Sequence, residues 1–566
     1  MRQEKEQKKS NRTILKLIIV IILIGMATFI LRIAPNYIKD EDENAVKLVI
    51  NYQDVTKFLK ANIYKSDSGI FYLSKEDIAN FYDKYIYYDE KYNQIVTTSD
   101  DKILVMGLDS YEKEVNGEKK KANGKIIKMN GKYYIPVSEL EDIYNINFKY
   151  IEETNTVVLE SINKELKQAE SVKDNSVKYK STIFSKTIEK IEEGETLTIV
   201  PLTEEQEKLV TDGWIKVRTK KGKLGYVKKD SIKNEKIVRE AKIQEKQVQG
   251  KVSLVWEYFS EYATAPDRTA TSIDGVNVVS PSFFYLEKSG KGKLLENVGK
   301  SGINYINWAH SNGYKVWPIV SNNSMKETTS EIMNDYELRN KLINQIVSYV
   351  DEYNLDGVNI DFEYMKEEDK KMFSRFIIEL TPRMKAVGKV VSVDVTAPDG
   401  SPDWSLCFDR NTLGKVADYI MFMAYDQNGA SSPKEGTTAG YDWVKLNISK
   451  FINQEEVQKE KLVLGMPFYT RLWKEKDGKT TSTVVLMKNI ESVIPSDTKK
   501  EWDDILKQNY VQYEKDGAIY KMWLEDEKSI NEKLSLIKDF NLAGGCYWAK
   551  DFEKQEIWTT IKKAIE

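Results

Sequence analysis

Two carboxylic acids, Asp361 and Glu363, stand two residues apart at the end of a mostly apolar segment, residues 357–363. The segment alternates polar and apolar side chains, which predicts a β-strand whose polar side chains, including Asn359, share one face. Two carboxyl groups held together at the end of a buried strand can give and take protons, as general acid–base chemistry requires. An exposed antiparallel strand would show the same alternation with its acids in water, so the surrounding elements decide between the two interpretations.

The elements around this segment favour the buried strand. Apolar strand candidates recur eight times in the carboxyl-terminal part of the chain, and segments with the apolar period of helices separate several of them. Eight such units over about 315 residues fit an α/β protein with a (β/α)8 TIM barrel, whose reactive face is formed by the carboxyl ends of its strands. The longest gap holds an insertion predicted at about residues 473–527. The strand candidates are residues 252–259, 276–284, 315–320, 357–363, 390–396, 419–425, 462–468 and 544–548.

Four stretches of this region resemble the motifs of glycoside hydrolase family 18. DGVNIDFE, at residues 356–363, is similar to the family pattern Asp-Gly-x-Asp-x-Asp-x-Glu, with Asn359 in place of the first inner Asp. Residues 419–426 resemble the family's sixth strand with its Met-x-Tyr-Asp segment, and the segments 464–469 and 544–548 resemble its seventh and eighth strands. The resemblance covers residues 251–566 and implies a TIM-barrel hydrolase such as a chitinase or a peptidoglycan glucosaminidase.

The resemblance also implies a role for each motif residue. Three residues would be catalytic: Glu363 as general acid and then base, Asp361 bonded to the acetamide N–H, and Tyr425 holding the acetamide oxygen. In this family the substrate's own 2-acetamido oxygen attacks, so the substrate must be an N-acetylated sugar. Trp548 would stack on the sugar, and packing is the alternative interpretation for Tyr469. No metal and no cofactor is assigned. The implied substrate-binding residues are Asp426, Trp548, Asn359, Met423 and Tyr469.

Asn359 removes a negative charge from the motif. An Asp at this position could share a proton with Asp361, whereas an amide can only donate and accept hydrogen bonds. We therefore expect Asp361 to ionise more readily than in the usual motif, while both carboxylates that carry the mechanism remain. Asp356, just before the strand, is predicted to brace the turn that leads into it.

The composition limits the other functions to be considered. The 566 residues predict about three domains, and a hydrophobic content of 41% supports real cores. A net charge of −3 gives no case for nucleic-acid binding through bulk charge. The single histidine, His310, and the two cysteines argue against histidine-based metal centres, Ser-His-Asp catalysis and a disulfide framework.

Residues 1–36 are predicted to form a cytoplasmic basic stub and a transmembrane anchor. Basic residues precede an apolar run at residues 17–31, and with its flank roughly 18 to 20 residues can span a bilayer. The positive flank predicts a single-pass protein of the cell membrane with a cytoplasmic amino terminus and an extracellular body. A cleaved signal peptide is the alternative, but the run is long for a signal core and no small-x-small site follows it.

Two small β-rich modules are predicted between the anchor and the barrel. Residues 46–165 carry an Asn-Gly turn signal and resemble the copper amine oxidase N-terminal-like domain, although they contain no histidine or cysteine that would suit copper. Residues 170–235 contain the pattern W-x-K-V…G-x-x-G-Y-V and resemble the bacterial Src-homology-3 type domain, a module that often binds wall peptides. Residues 236–250 are charged, have no apolar period and are predicted to be a linker, with a lone helix as the alternative.

Together these features predict a membrane-anchored, exported glycosidase that cleaves β-1,4 bonds after N-acetylglucosamine in peptidoglycan by substrate-assisted retaining hydrolysis. Its partners would be an N-acetylated glycan polymer and the membrane, and no nucleic acid. The anchor and the wall-type modules favour peptidoglycan over chitin, since both glycans carry the required acetamide. A chitinase is one alternative, and a carbohydrate-binding or scaffolding wall protein with weak turnover is another. Intact Asp361, Glu363 and Tyr425 weigh against the second.

Overall fold

The computed structural model describes residues 45–242 and 247–565. The predicted anchor at residues 1–36 lies outside the described residues, and so do residues 243–246 of the predicted linker. Within the two described ranges, no helix has both the length and the apolar character that crossing a membrane requires. The chain divides into two compact units, one made of amino-terminal β-rich modules and one containing the barrel.

Eight strand positions in the carboxyl-terminal unit close into a parallel barrel, which confirms the predicted TIM-barrel fold. The barrel closes where the eighth strand pairs with the first and Gly544 lies beside Val252. The strands are β1 (Val252–Glu257), β2 (Val278–Pro281), β3 (Lys315–Val316 and Ile319–Ser321), β4 (Gly357–Asp361), β5 (Val390–Val395), β6 (Tyr419–Phe422), β7 (Leu462–Pro467) and β8 (Gly544–Trp548).

Both faces of the barrel strands are buried, as parallel sheets require. On β1, Leu254 and Trp256 point into a cluster inside the barrel, whereas Val255 packs in the layer between the strands and the surrounding helices. These apolar layers hold the strand ends in fixed positions. The helices of this unit are Gly299–Ser311, Lys326–Asn334, Tyr336–Glu352, Lys370–Ala386, Arg410–Val416, Tyr441–Asn453, Ile490–Val493, Glu527–Asp539 and Ile557–Ile565.

Strand β4 carries the two acids to the edge of the barrel. It ends at Asp361, before the predicted end at residue 363, so Glu363 lies in the loop that follows. The strand begins with a glycine because a Cβ at Gly357 would lie 2.6 Å from the carbonyl oxygen of Val390 on β5. This close approach of β4 and β5 brings the side chains at their far ends next to each other.

Two strands that were predicted as continuous are interrupted. Residues 276–284 form β2 and the start of a separate strand, Phe284–Leu286, which pairs antiparallel with Leu294–Glu296. Residues 315–320 are broken at Trp317 and Pro318, because proline has no N–H to donate to a neighbouring strand. A proline stands at or just before each break, Pro281 and Pro318, with apolar residues on both sides of it.

The insertion predicted between β7 and β8 is a five-stranded antiparallel sheet. It begins at Tyr469, before the predicted start at about residue 473, and has its own small core around Val511 and Met522. Because β7 ends at Pro467, this sheet starts directly at the reactive end of the barrel. Its strands are Tyr469–Lys476, Lys479–Leu486, Glu501–Asp503, Gln508–Lys515 and Ala518–Trp523.

The first amino-terminal module is built mainly of short antiparallel strands. The predicted Asn-Gly hairpin is confirmed, since Ile127–Met129 pairs with Lys132–Pro136 and the two turn residues have positive φ angles. A helix follows at Val137–Tyr144, and another lies at Lys75–Phe81. The strands are Lys47–Ile50, Gln53–Asp54, Tyr64–Lys65, Phe71–Ser74, Tyr87–Asp89, Gln94–Thr98, Ile103–Gly107, Glu112–Val115, Glu118–Lys121, Ile127–Met129, Lys132–Pro136, Ile146–Ile151 and Thr156–Ser161.

The second module is a seven-stranded sheet with a short helix, Glu204–Glu207, and a core that includes Leu197 and Val217. Its last strand runs past the predicted boundary at residue 235 into the segment predicted as a linker. The side chains of that strand are mostly exposed, which explains why its sequence shows no apolar period. The Src-homology-3 assignment remains a prediction. The strands are Leu166–Ser171, Asn175–Lys178, Thr187–Ile191, Thr196–Ile199, Trp214–Arg218, Leu224–Lys228 and Ile232–Arg239.

Candidate active site

Three neighbouring strands, β4, β5 and β6, bring acids and hydroxyl groups to one end of the barrel. The carboxyl ends of parallel strands meet at one edge, where barrel enzymes carry their active sites. The register pairs Ile360 of β4 with Val393 of β5, and Asp394 of β5 with Met421 of β6. The residues that follow these pairs, including Glu363 and Tyr425, therefore lie at the same end of the barrel.

Asp361 is the last residue of β4 and lies beside Ser321 of β3. Its Oδ1 atom is buried, and no described residue donates a hydrogen bond to it. Burial raises the pKa of Asp361 to about 7, since a charged carboxylate is less stable away from water. This side chain has an acceptor oxygen available for a bound molecule and changes charge near neutral pH.

The buried Asn322 side chain holds the backbone of Glu363 by bonding to both its N–H and its carbonyl oxygen. The Asn322 amide nitrogen donates to the Glu363 carbonyl oxygen (2.8 Å), and the Glu363 N–H donates to Asn322 Oδ1 (3.0 Å). Burial, followed by the charges of Asp361 and Asp426, raises the pKa of Glu363 well above its ordinary value. This raised pKa favours the protonated carboxyl that a general acid needs.

Tyr425, Asp426 and Tyr469 form a polar group at the ends of β6 and β7. The Tyr469 hydroxyl donates a hydrogen bond to Asp426 Oδ1 (2.8 Å), and the Tyr425 and Tyr469 rings meet edge to face at 6.2 Å. Burial, and then the neighbouring Tyr469, raises the pKa of the Tyr425 hydroxyl well above its ordinary value. Tyr425 therefore stays protonated and can donate a hydrogen bond at any physiological pH. Tyr469 braces Asp426, consistent with its packing interpretation.

Met423 directly follows β6, two residues before Tyr425, and Trp548 ends β8 on the far side of β7. Met423 is nearly buried, and its N–H donates to the Val395 carbonyl oxygen (2.9 Å). Trp548 ends β8 and is half-buried, with its ring centre 6.0 Å from those of Trp256 and Tyr258. Of these three aromatic residues Trp256 is buried and Tyr258 is exposed, so Trp548 stands between the barrel interior and solvent.

Asn359 is completely buried beneath the site rather than exposed in it. Its Oδ1 atom accepts a hydrogen bond from the Trp256 indole (2.7 Å), which orients the amide. Its Nδ2 atom donates to Asp394 Oδ1 (2.7 Å) and to Ser392 Oγ (3.0 Å). The amide predicted to contact substrate is thus bonded to protein groups, and its position favours a supporting role.

Sequence reasoning missed Asp394 and Asn322. Asp394 stands alone in an apolar strand candidate at residues 390–396, and a lone acid in a strand expected to be buried on both faces is a signal that could have identified it. Asn322 gave no such signal, because its neighbours resemble an ordinary loop after β3. Its contacts with Glu363 depend on how two separate loops meet.

Asp356 and His310 lie away from this site, at the start of β4. The Asp356 carboxylate accepts hydrogen bonds from the Val316 N–H (3.0 Å) and Lys315 Nζ (3.0 Å), and it pairs with His310 Nε2 at 2.9 Å. Asp356 therefore braces the turn into β4, as predicted. His310 contributes to this structural contact.

Buried acids dominate the electrostatics of the candidate site. Burial is the largest cause of a raised pKa at each of four carboxyl groups, and neighbouring carboxylates add to it for Glu363 and Asp394. Acids that share a buried site cannot all ionise together, so these carboxyl groups release their protons at different pH values. The arrangement can therefore donate a proton from one carboxyl while another remains charged. The four carboxyl groups are those of Asp361, Glu363, Asp394 and Asp426.

Comparison with known proteins gives two family matches. Residues 254–553 match the model of the glycosyl hydrolases of family 18, and residues 49–159 match the model of the copper amine oxidase N-terminal domain. The first match spans more than half of the chain and includes every residue of the candidate site.

Individual relatives are similar over the barrel. The chain is 26% identical over 306 residues to the uncharacterized glycosylase YvbX of Bacillus subtilis (strain 168), which covers 51% of this chain and 85% of the relative. It is 22% identical over 240 residues to a cortical fragment-lytic enzyme of the same organism, which covers 41% of this chain and about half, 54%, of that enzyme. A crystal structure of a chitinase from Chromobacterium violaceum ATCC 12472 is 22% identical, with a TM-score of 0.49, and covers 56% of this chain and 98% of that one.

Proposed function

Because the chain belongs to glycosyl hydrolase family 18 and is a glycoside hydrolase, we propose that it cleaves β-1,4 bonds after N-acetylglucosamine in peptidoglycan by substrate-assisted retaining hydrolysis. The observation that carries this proposal is the Glu363 carboxyl at the mouth of the barrel, whose pKa is raised by burial and by the charge of Asp361. Cleaving a glycosidic bond requires a proton for the leaving oxygen, and the raised pKa of Glu363 supports it as the donor.

Glu363 acts first as acid and then as base. It gives its proton to the glycosidic oxygen as the bond to the anomeric carbon breaks, which leaves a carboxylate. That carboxylate then removes a proton from the water that attacks the anomeric carbon, and the original state returns. The Asn322 contacts on the Glu363 backbone keep the carboxyl in position through both steps.

Asp361 and Tyr425 act on the acetamide group of the substrate. The acetamide oxygen attacks the anomeric carbon and forms an oxazolinium-like ring with a positive charge. The unpaired Oδ1 of Asp361 accepts the acetamide N–H and stabilises that charge, while the Tyr425 hydroxyl donates to the acetamide oxygen. Asp426, held by Tyr469, lies beside Tyr425, and Trp548 supplies an aromatic face for the sugar.

The preference for peptidoglycan is supported from outside the barrel. One relative is a cortical fragment-lytic enzyme, whereas others are chitinases, so the barrel alone fits either glycan. The basic stub and apolar run at residues 1–36 support a single-pass membrane protein whose body acts outside the cytoplasm. The glycan of the cell wall is a polymer that would be accessible to a domain outside the cytoplasm, which favours peptidoglycan as the substrate.

The function is tested with the full chain, purified in mild detergent, beside the Glu363→Gln variant. Both proteins are incubated with purified peptidoglycan and with chitin oligomers, and products are read as new reducing ends and by mass. We expect N-acetylglucosamine reducing ends from peptidoglycan with the wild type alone. Cleavage restricted to chitin would identify a chitinase, and binding of either glycan without cleavage would identify a carbohydrate-binding protein.

Replacing Asn322 by alanine should lower kcat about 10-fold with little change in KM, because the Glu363 carboxyl would lose its fixed position while the sugar contacts remain. The measurement is the rate of reducing-end release at saturating and limiting glycan. Asn531→Ala, on an exposed helix position, is the matched control and should leave both constants unchanged. An unaltered kcat in a folded Asn322→Ala protein would contradict the positioning role.

A further inference from the structure

Asp394 lies beside Asn359, the position at which the usual family motif has an acid. Position 359 carries an amide, and the carboxyl group bonded to that amide comes from the neighbouring strand: Asn359 Nδ2 donates to Asp394 Oδ1 at 2.7 Å. Asp394 is buried, 2% exposed, in a strand whose other residues are all buried as well. A buried carboxyl with no function would cost stability, which makes its presence here informative.

The strand register brings Asp394 next to Asp361. Ile360 pairs with Val393, so Asp361 and Asp394 are the next residues along two adjacent parallel strands. Asp361 has a buried Oδ1 that no described residue bonds, and the charge of Asp361 contributes to the raised pKa of Asp394. The two carboxyl groups therefore face a common space at the end of β4 and β5.

The groups around Asp394 come from several strands. Asn359 donates a hydrogen bond to Asp394 and is itself held by the Trp256 indole, while Asp361 and Glu363 add negative charge. Asp394 itself contributes to the raised pKa of two weak acids, the Tyr425 hydroxyl after β6 and the Cys546 thiol on β8. A carboxyl surrounded by acids, with an amide N–H as its donor, favours sharing one proton with the acid beside it.

We propose that Asp394 is a positioning residue that replaces the acid missing at position 359 and shares one proton with Asp361. The pair carries one proton and one negative charge. When Asp361 accepts the acetamide N–H, the proton resides on Asp394, and no proton enters or leaves the pair. The inference rests on the proposed function for its catalytic meaning, but the shared proton itself exists without substrate.

The first experiment moves the carboxyl group from position 394 on β5 to position 359 on β4. Asp394→Asn keeps the size of the side chain and should lower kcat about 10- to 100-fold, because Asp361 loses its partner. Adding Asn359→Asp to that variant restores one acid to the pair on the other strand, and we expect most of the activity to return. A structural role for Asp394 would instead make the double variant no better than the single one.

The pH profile separates proton sharing from packing. A shared proton stabilises the singly ionised pair, so the first ionisation occurs at lower pH than for a lone buried acid, which is the opposite of the direction expected from the loss of a charge at position 359 alone. The acid limb of kcat/KM should therefore move to higher pH in Asp394→Asn and move back in the double variant. An unchanged acid limb in a folded Asp394→Asn protein would overturn the proposal, whatever its rate.

An infrared titration tests the pair without turnover. The full-length wild type, without glycan, should lose the protonated-carboxyl band of the pair in two separated steps, one at lower and one at higher pH than the single step of Asp394→Asn, and the two steps should return in the double variant. If the wild type cleaves no glycan but shows this pattern, the proposed function fails and the proton sharing stands. If the wild type and Asp394→Asn lose the band over the same pH range, the proton sharing fails, even where the wild type cleaves glycan.

Discussion

The Glu363→Gln protein is expected to cleave peptidoglycan about 10²- to 10⁴-fold more slowly than the wild type, the usual contribution of a general acid or base. Glutamine keeps the shape of the side chain and the backbone contacts with Asn322, but it has no proton to give to the leaving oxygen. The loss should fall on kcat, with KM nearly unchanged, because the sugar contacts remain. Initial rates of reducing-end release at several glycan concentrations measure both constants.

Two controls make this result specific to Glu363. Glu368→Gln removes an exposed acid from the helical turn that follows the same loop, and it should behave as the wild type. Glu363→Gln should still bind peptidoglycan in a sedimentation assay, which would show that its site is intact. A rate within a few-fold of wild type would remove Glu363 from the mechanism and leave the site without its proton donor.

Asp361→Asn should reduce kcat about 10²-fold, because an amide cannot offset the positive charge of the oxazolinium-like intermediate. It should also move the alkaline limb of the pH profile to lower pH. The negative charge of Asp361 is one cause of the raised pKa of Glu363, so removing it lowers that pKa and Glu363 loses its catalytic proton at lower pH. Rates measured across the pH range, with substrate held well below KM, report the shift.

The direction of that shift separates two roles for Asp361. A contact with substrate alone would lower the rate and leave the alkaline limb in place, whereas a charge acting on Glu363 must move it. Asp497→Asn, an acid on an exposed loop of the same unit, serves as the control and should leave the rate and both limbs unchanged. An alkaline limb that stays in place or moves to higher pH in Asp361→Asn would contradict the proposed coupling between the two acids.

The barrel could be predicted from the sequence because each strand leaves a local pattern. The β8 bounds at 544–548 agree with the structure, and most other strands end within a few residues of their predicted limits. Asp361 and Glu363 were identifiable because two polar residues at alternate positions interrupt a buried strand. The breaks at Pro318 and before Phe284 were missed, because the apolar residues on both sides of each break predict one continuous strand.

Contacts between distant segments could not be predicted from the sequence. The bond between Asn359 and Asp394 depends on the register of β4 against β5, which no local pattern reports. Asn322 reaches the Glu363 backbone only because two loops meet at the barrel mouth. The substitution at position 359 looked like a loss of one acid, whereas the structure shows a second acid supplied from the adjacent strand.

The buried acids at the barrel mouth also affect how firmly the protein stays folded. Asp361 would titrate near pH 4 in an unfolded chain, about 3.9 for an ordinary aspartate, but its pKa is about 7 in the folded barrel. Between these values the folded state holds a proton that the unfolded chain has released, so the free energy of unfolding falls as pH rises through this window. Glu363 and Asp394 are shifted in the same direction. At neutral pH the raised pKa values at the reactive end therefore reduce the stability of the fold.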